Sequence, residues 1–206
     1  MKRKITEFVV ILTAIFIVYA CHQHQGSVTR DKQDLTAVKA ISDTSKIVPP
    51  DQLIVPGKSI GKISLNGSAD SAVTLLGKPD FSDAAMGSVL ITWYAKHDTA
   101  GYKTSIFANH NFGSKDEGVA HIRKILITTP SFKTIDGLNT GLPLSEYRKH
   151  FNLQQVSSYT NKGKNIKVYE AKGKGIAFEV DSLSNKGVAI IVHRPNDSQA
   201  SYINMH

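Results

Sequence analysis

The chain has 206 residues, 41% hydrophobic and 20% charged, a size that holds one domain or two small ones and a composition that argues against a coiled coil or a wholly disordered chain. Lysine and arginine number 25 against 17 acids, for a net charge of +8. The lone cysteine, Cys21, excludes a disulfide within the chain and any cysteine cluster for a metal.

Met1-Lys2-Arg3-Lys4 opens the chain with positive charge, and the 13 apolar residues Phe8 to Ala20 follow. As a helix that run measures about 20 Å, whereas crossing a hydrocarbon core of roughly 30 Å takes about 20 residues. With the polar stretch His22 to Ser27 behind it, this is the layout of a signal peptide over residues 1–20. Val18-Tyr19-Ala20-Cys21 resembles a bacterial lipobox. The resemblance implies that Cys21 is lipidated by palmitate-type chains and becomes the first residue of a lipoprotein held to a membrane. Ordinary cleavage after Ala20 and an uncleaved anchor are the alternatives. Removal of residues 1–20, which carry a net +2, leaves +6 on the mature chain. That excess suits an anionic surface such as lipid headgroups, an acidic partner or a cell-wall polymer, and nucleic acid is not an expected partner in that compartment.

Residues 21–56 are polar, poor in aromatics and punctuated by Pro49-Pro50 and Pro56-Gly57, which reads as a flexible tether. A weak internal repeat follows, its two copies about 75 residues apart. In the first copy Ser68 to Leu76 carries Ala69, Val73 and Leu76 on one helical stripe and is closed by Gly77-Lys78-Pro79. In the second, Leu144 to Phe151 carries Leu144, Tyr147 and Phe151 in the same way. Alternating runs follow each helix, at 88–95, 102–109 and 119–128 and then at 165–171, 174–181 and 187–194. The expected architecture is therefore α+β: two tandem units, 57–131 and 132–195, each a short helical region plus a three-stranded antiparallel meander with the helices on one sheet face. Residues 196–206 read as a disordered tail.

Leu76-Gly77-Lys78-Pro79, Ser82-Asp83, Trp93-Tyr94 and the turn Asp116-Glu117-Gly118 together resemble the SmpA/OmlA, or BamE-type, lipoprotein domain over about residues 60–128. The doubled layout is similar to the β-lactamase-inhibitor-protein fold, which binds a protein with the open face of its sheet. The resemblance implies a location at the periplasmic side of the outer membrane and a part in outer-membrane assembly or maintenance.

Catalytic patterns fail on context. Gly57-Lys58-Ser59-Ile60-Gly61 has the letters of a nucleophile elbow but no long helix after it. A phosphate loop would need glycine where Gln52 stands. The histidines lack metal-ligand spacing, so neither a metal nor another cofactor is expected. What remains is surface. The sheet face away from the helices is expected to present Tyr94, Phe107, His121, Arg123, Tyr169, Ile191 and His193 to an envelope protein, with burial between the units as the alternative for Tyr94 and Phe107. The expected function is a non-enzymatic, lipid-anchored protein-binding module, and the alternative is a periplasmic binding module for a small molecule or cell-wall polymer.

Overall fold

The computed structural model of the chain describes residues 47–197 and Met205; Cys21, the signal peptide, residues 21–46 of the expected tether and the rest of the C-terminal tail fall outside the described residues, whereas 47–56, expected as the end of the tether, hold a 3-10 turn at Pro50–Gln52 and a strand at Leu53–Val55. Three short strands come first, β1 (Leu53–Val55), β2 (Ser59–Ile60) and β3 (Ile63–Ser64). Helix α1 (Ala69–Leu76) leads into β4 (Phe81–Ala85), β5 (Ser88–Tyr94), β6 (Lys103–His110) and β7 (Ala120–Ile127). A two-residue strand β8 (Lys133–Thr134) precedes helix α2 (Leu144–His150), and β9 (Gln154–Asn161), β10 (Lys164–Ala171), β11 (Ile176–Asp181) and β12 (Lys186–His193) complete the order.

Apart from β8, the strands from β4 onward form one eight-stranded antiparallel sheet in the order β4-β5-β6-β7-β12-β11-β10-β9, and β3-β2-β1-β8 form a second, small sheet. This corrects the expected fold. The chain is β-rich, with one large sheet and two helices, not two tandem units of a helix and three strands, and neither the BamE-type domain nor the inhibitor-like pair of units describes it. The expected boundary at 131/132 does not divide the sheet. β7 pairs with β12 through Ile127↔Ile190, Leu126↔Ile191, Ile125↔Val192 and Lys124↔His193, so hydrogen bonds cross it.

The register explains why the sheet holds. Ile91, Ile106, Ile125, Val192, Ile176 and Ala171 are successive cross-strand partners, forming an apolar row over six strands. Each is buried in the main core, together with Ile54, Ile60 and Ile63 of the small sheet. Full burial of one such branched side chain is worth about 1.5–3 kcal/mol, so this row anchors the molecule. Both helices lie on this face. Tyr147 of α2 stacks on Phe178 at 4.2 Å between ring centroids and 20° between planes. Gly187 makes that approach possible, because a Cβ there would fall 2.1 Å from the Tyr147 hydroxyl.

Helix α1 begins where Ser68 Oγ accepts the Ser71 N–H and ends at Gly77, whose φ of +83° is the left-handed conformation that favours glycine. Its buried face is Ala69 and Ala72, with Val73 half-buried; Leu76, expected inside, is exposed. Small residues at the contact let this short helix sit close to the sheet.

Candidate functional site

The expected binding residues do not form one exposed patch. Ile191 and His193 lie on the face away from the helices, but both are buried there. Ile191 belongs to a second apolar cluster with Leu126, Val168, Ala177, Ala189 and Met205, and half-buried Phe107 packs against it. Tyr169 is on the other face: its cross-strand partner is Phe178, and its ring lies beneath the Arg148 guanidinium at 5.4 Å. The sequence placed Tyr169 with Ile191, and the register separates them.

His121 and Arg123 hold loops. His121 Nε2 meets Asp116 Oδ2 at 2.7 Å and Nδ1 meets the Asn66 carbonyl at 3.1 Å. The Ser114 hydroxyl and then His121 hold the Asp116 carboxyl below its ordinary range. Arg123 donates to the Asn111 side-chain carbonyl beside a break in the β6–β7 register.

His193 sits in the most charged part of the interior. Its Nδ1 is 2.9 Å from the Arg194 carbonyl, which only accepts, so Nδ1 carries a proton. Nε2 then faces Glu170 Oε1 at 3.0 Å, an ion-pair distance, although the two are too poorly aligned to complete a hydrogen bond. Lys124 is the direct cross-strand partner of His193 and is only 2% exposed. Burial pushes the Lys124 ammonium down to about 8, against the smaller opposing pull of Asp197 and Glu170.

The surface that is exposed and rigidly placed is the far edge of the sheet. All five residues of β4 are exposed, and β4 has a sheet neighbour only on its β5 side. Its register with β5 runs unbroken from Phe81↔Thr92 to Ala85↔Ser88. Phe81 is 48% exposed, and Leu75 and Leu76 at the end of α1 are exposed as well. Two bonds fix this corner. Trp93 Nε1 donates to the Gly77 carbonyl at 2.9 Å, tying the end of α1 to β5, and the Tyr94 N–H donates to Asp80 Oδ2 at 2.6 Å. That second bond, followed by the one to His97, holds the Asp80 carboxyl below its ordinary range. Tyr94 therefore contributes through its backbone.

The sequence contained the parts of this corner without its use. Gly77, Trp93 and Tyr94 were visible as motif residues, but β4 was not read as a strand, because Phe-Ser-Asp-Ala-Ala buries nothing and shows no apolar alternation. Ser59, the centre of the elbow-like motif, lies in the two-residue strand β2. Among the described residues no three His, Cys, Asp or Glu side chains gather as a metal site would require.

Neither a protein-family model nor a curated protein matches the sequence. Among solved structures the chain is similar to a cysteine-rich secretory protein from Staphylococcus aureus subsp. aureus Mu50, with a TM-score of 0.43 and 13% identity. The match covers 77% of this chain and 55% of that protein, so the chain spans about half of that protein's length. A likeness of this size carries no functional argument.

Proposed function

We propose that this protein is a lipid-anchored module of the bacterial cell envelope that binds another protein rather than catalysing a reaction, and that the partner adds an extended segment to β4. One observation carries the reading: β4 is a regular, wholly exposed edge without proline, lysine or a bulge, and Asp83 is the one charge among its five residues, so little protects it from pairing. The opposite edge, β9, does have a register break in its pairing with β10. Strand addition draws its affinity from main-chain hydrogen bonds and its selectivity from side-chain contacts, here offered by Phe81, Leu75 and Leu76. The anchoring half of the reading rests on the sequence around Cys21.

A photo-crosslinking residue at Phe81, in the full chain expressed in cells, should give an adduct with one envelope protein. Ala84→Lys, a charge on an exposed edge, should abolish that adduct while leaving thermal stability unchanged. Cys21→Ser should move the chain out of the membrane fraction. Adducts that survive Ala84→Lys would overturn strand addition, and a membrane-bound Cys21→Ser chain would overturn the lipid anchor.

A further inference from the structure

The face of the large sheet turned away from the helices is as dry as the face they cover. Thr92, Ser105, Leu126, Ile191 and Ala177 are successive cross-strand partners there, from β5 to β11, and all five are buried. Short side chains such as Ser105 and Ala177 are shielded by their neighbours, but Leu126 and Ile191 stand up from the sheet and need a cover. An antiparallel sheet commonly leaves one face to water, so this burial calls for a cause. The helices and the small sheet do not supply it, because their buried residues belong to the main core on the other face.

Met205 shows where the cover comes from. It is 2% exposed and belongs to the apolar cluster of Leu126, Val168, Ala177, Ala189 and Ile191, in which, among the described residues, it is the one buried member that no strand carries. Its main-chain carbonyl accepts a hydrogen bond from Lys103 Nζ at 2.6 Å. Lys103 projects on this face because it alternates with Ser105 and Phe107 along β6. A bond from an ionised donor is roughly twice as strong as a neutral one, so Met205 is held by its side chain and its backbone together. The length of chain agrees. Asp197 acts on Lys124 of β7, and the eight residues from there to Met205 extend at most about 29 Å at roughly 3.3–3.6 Å each, enough to reach any strand of the cluster at a strand spacing of about 4.8 Å.

We infer that this face is a peptide-docking surface whose occupant is the chain's own C-terminal segment, residues 198–206, seated as a strap with Met205 as its apolar anchor and Lys103 as its clamp. The surface recognises one apolar side chain and one main-chain carbonyl, and in the free protein it is already filled. Strand addition at β4 uses the main chain of the sheet's edge and does not depend on this face.

The test adds the segment back in trans. A fluorescent peptide of residues 198–206 should bind saturably, by anisotropy, to the chain ending at Asp197 and should not bind the full-length chain, whose face is occupied. The same peptide carrying Met205→Asp should not bind either. Lys103→Met in the truncated chain should weaken the peptide about tenfold, the loss of one charge-assisted hydrogen bond. A second measurement keeps full length. Ala189→Cys places a thiol under the strap and Ala108→Cys one in the main core, both at buried positions; maleimide labelling, mapped by peptide mass to set aside Cys21, should be slow at both, and Met205→Asp should speed the first about tenfold or more, the scale of burying one methionine side chain, and leave the second slow. Equal binding of the peptide to truncated and full-length chains, labelling at Ala189→Cys indifferent to Met205→Asp, or equal acceleration at both thiols, which would make the segment part of the folding core, would overturn the strap. A full-length dimer that truncation turns into a monomer, read by sedimentation in detergent, would place Met205 on a second copy and overturn it too.

Discussion

Lys124 occupies a position where a long cationic side chain has almost no access to water, beside His193, Glu170 and Asp197. Burial dominates its titration, taking it from an ordinary 10.5 to about 8. The sign of the effect on stability follows. Below about pH 8 the lysine is charged in both states and the native state bears the full cost of the buried ammonium; between pH 8 and 10.5 the unfolded chain holds a proton that the native chain has released, so stability rises with pH. The difference amounts to about 3 kcal/mol when each pH unit is worth 1.36 kcal/mol. Lys124→Met should therefore be more stable than the parent by about 1–3 kcal/mol at pH 7, and the gap should close by pH 10.5. Lys103, which burial also lowers, acts the same way in both proteins and cancels from the comparison. Urea denaturation at pH 7, 9 and 10.5 measures this directly, and a gap independent of pH would show that Lys124 does not titrate as described. The burial of His193 had a signal in the sequence. β12 reads Gly-Val-Ala-Ile-Ile-Val-His, apolar on both faces, and such a run marks a strand covered on both sides. Placing Ile191 and His193 on an open face overlooked that Ala189 and Ile191 make that face apolar as well.

At the scale of elements, the sequence showed what buries apolar surface and hid what does not. The runs at 88–95, 102–109 and 119–128 coincide with β5, β6 and β7 to within a residue or two, and those at 165–171, 174–181 and 187–194 with β10, β11 and β12. β4 and β9 were absent from that reading because one is exposed throughout and the other, Gln-Gln-Val-Ser-Ser-Tyr-Thr-Asn, is polar at most positions. The helices were legible by their ends. Helix α1 has only eight residues, too few to persist on propensity alone, so capping and packing decide whether it forms. Ser68 supplies the cap at 3.0 Å, whereas α2 starts at Pro143 without a side-chain cap and relies on Tyr147 and its basic last turn. Ser68→Ala should cost about 1 kcal/mol, read as a lower urea midpoint with an unchanged slope. Ser145→Ala, in a helix whose start uses no side-chain oxygen, should cost less than Ser68→Ala. Equal losses would mean that the Ser68 bond contributes nothing to the folded state.

For the whole molecule, the deciding contact is the one that no local pattern announces. A repeat divides the chain at 131/132 by sequence spacing, yet residues 124–127 pair with 190–193, about 65 positions away, and that pairing joins two runs of four strands into one sheet. Pairing between distant strands is invisible to periodicity, which reports faces but not neighbours. The seam also carries energy. Ile125, Leu126, Ile127, Ile190 and Val192 are all fully buried, and separating β7 from β12 would expose them along with four main-chain partner positions. At about 25 cal/mol per Å² of apolar surface, uncovering several such side chains costs an amount comparable to the 5–15 kcal/mol that holds an entire domain together. The chain spanning residues 47–206 should therefore unfold in a single transition, with fluorescence of Trp93 and far-ultraviolet circular dichroism giving coincident curves. Fragments 47–131 and 132–206 made separately should show little cooperative structure and should bind a dye for exposed apolar surface. Mixed in equal amounts they should recover a β-sheet spectrum, because each offers the other a complementary edge at β7 or β12. Independent cooperative melting of either fragment would mean that the seam is an interface between self-sufficient domains rather than part of one core.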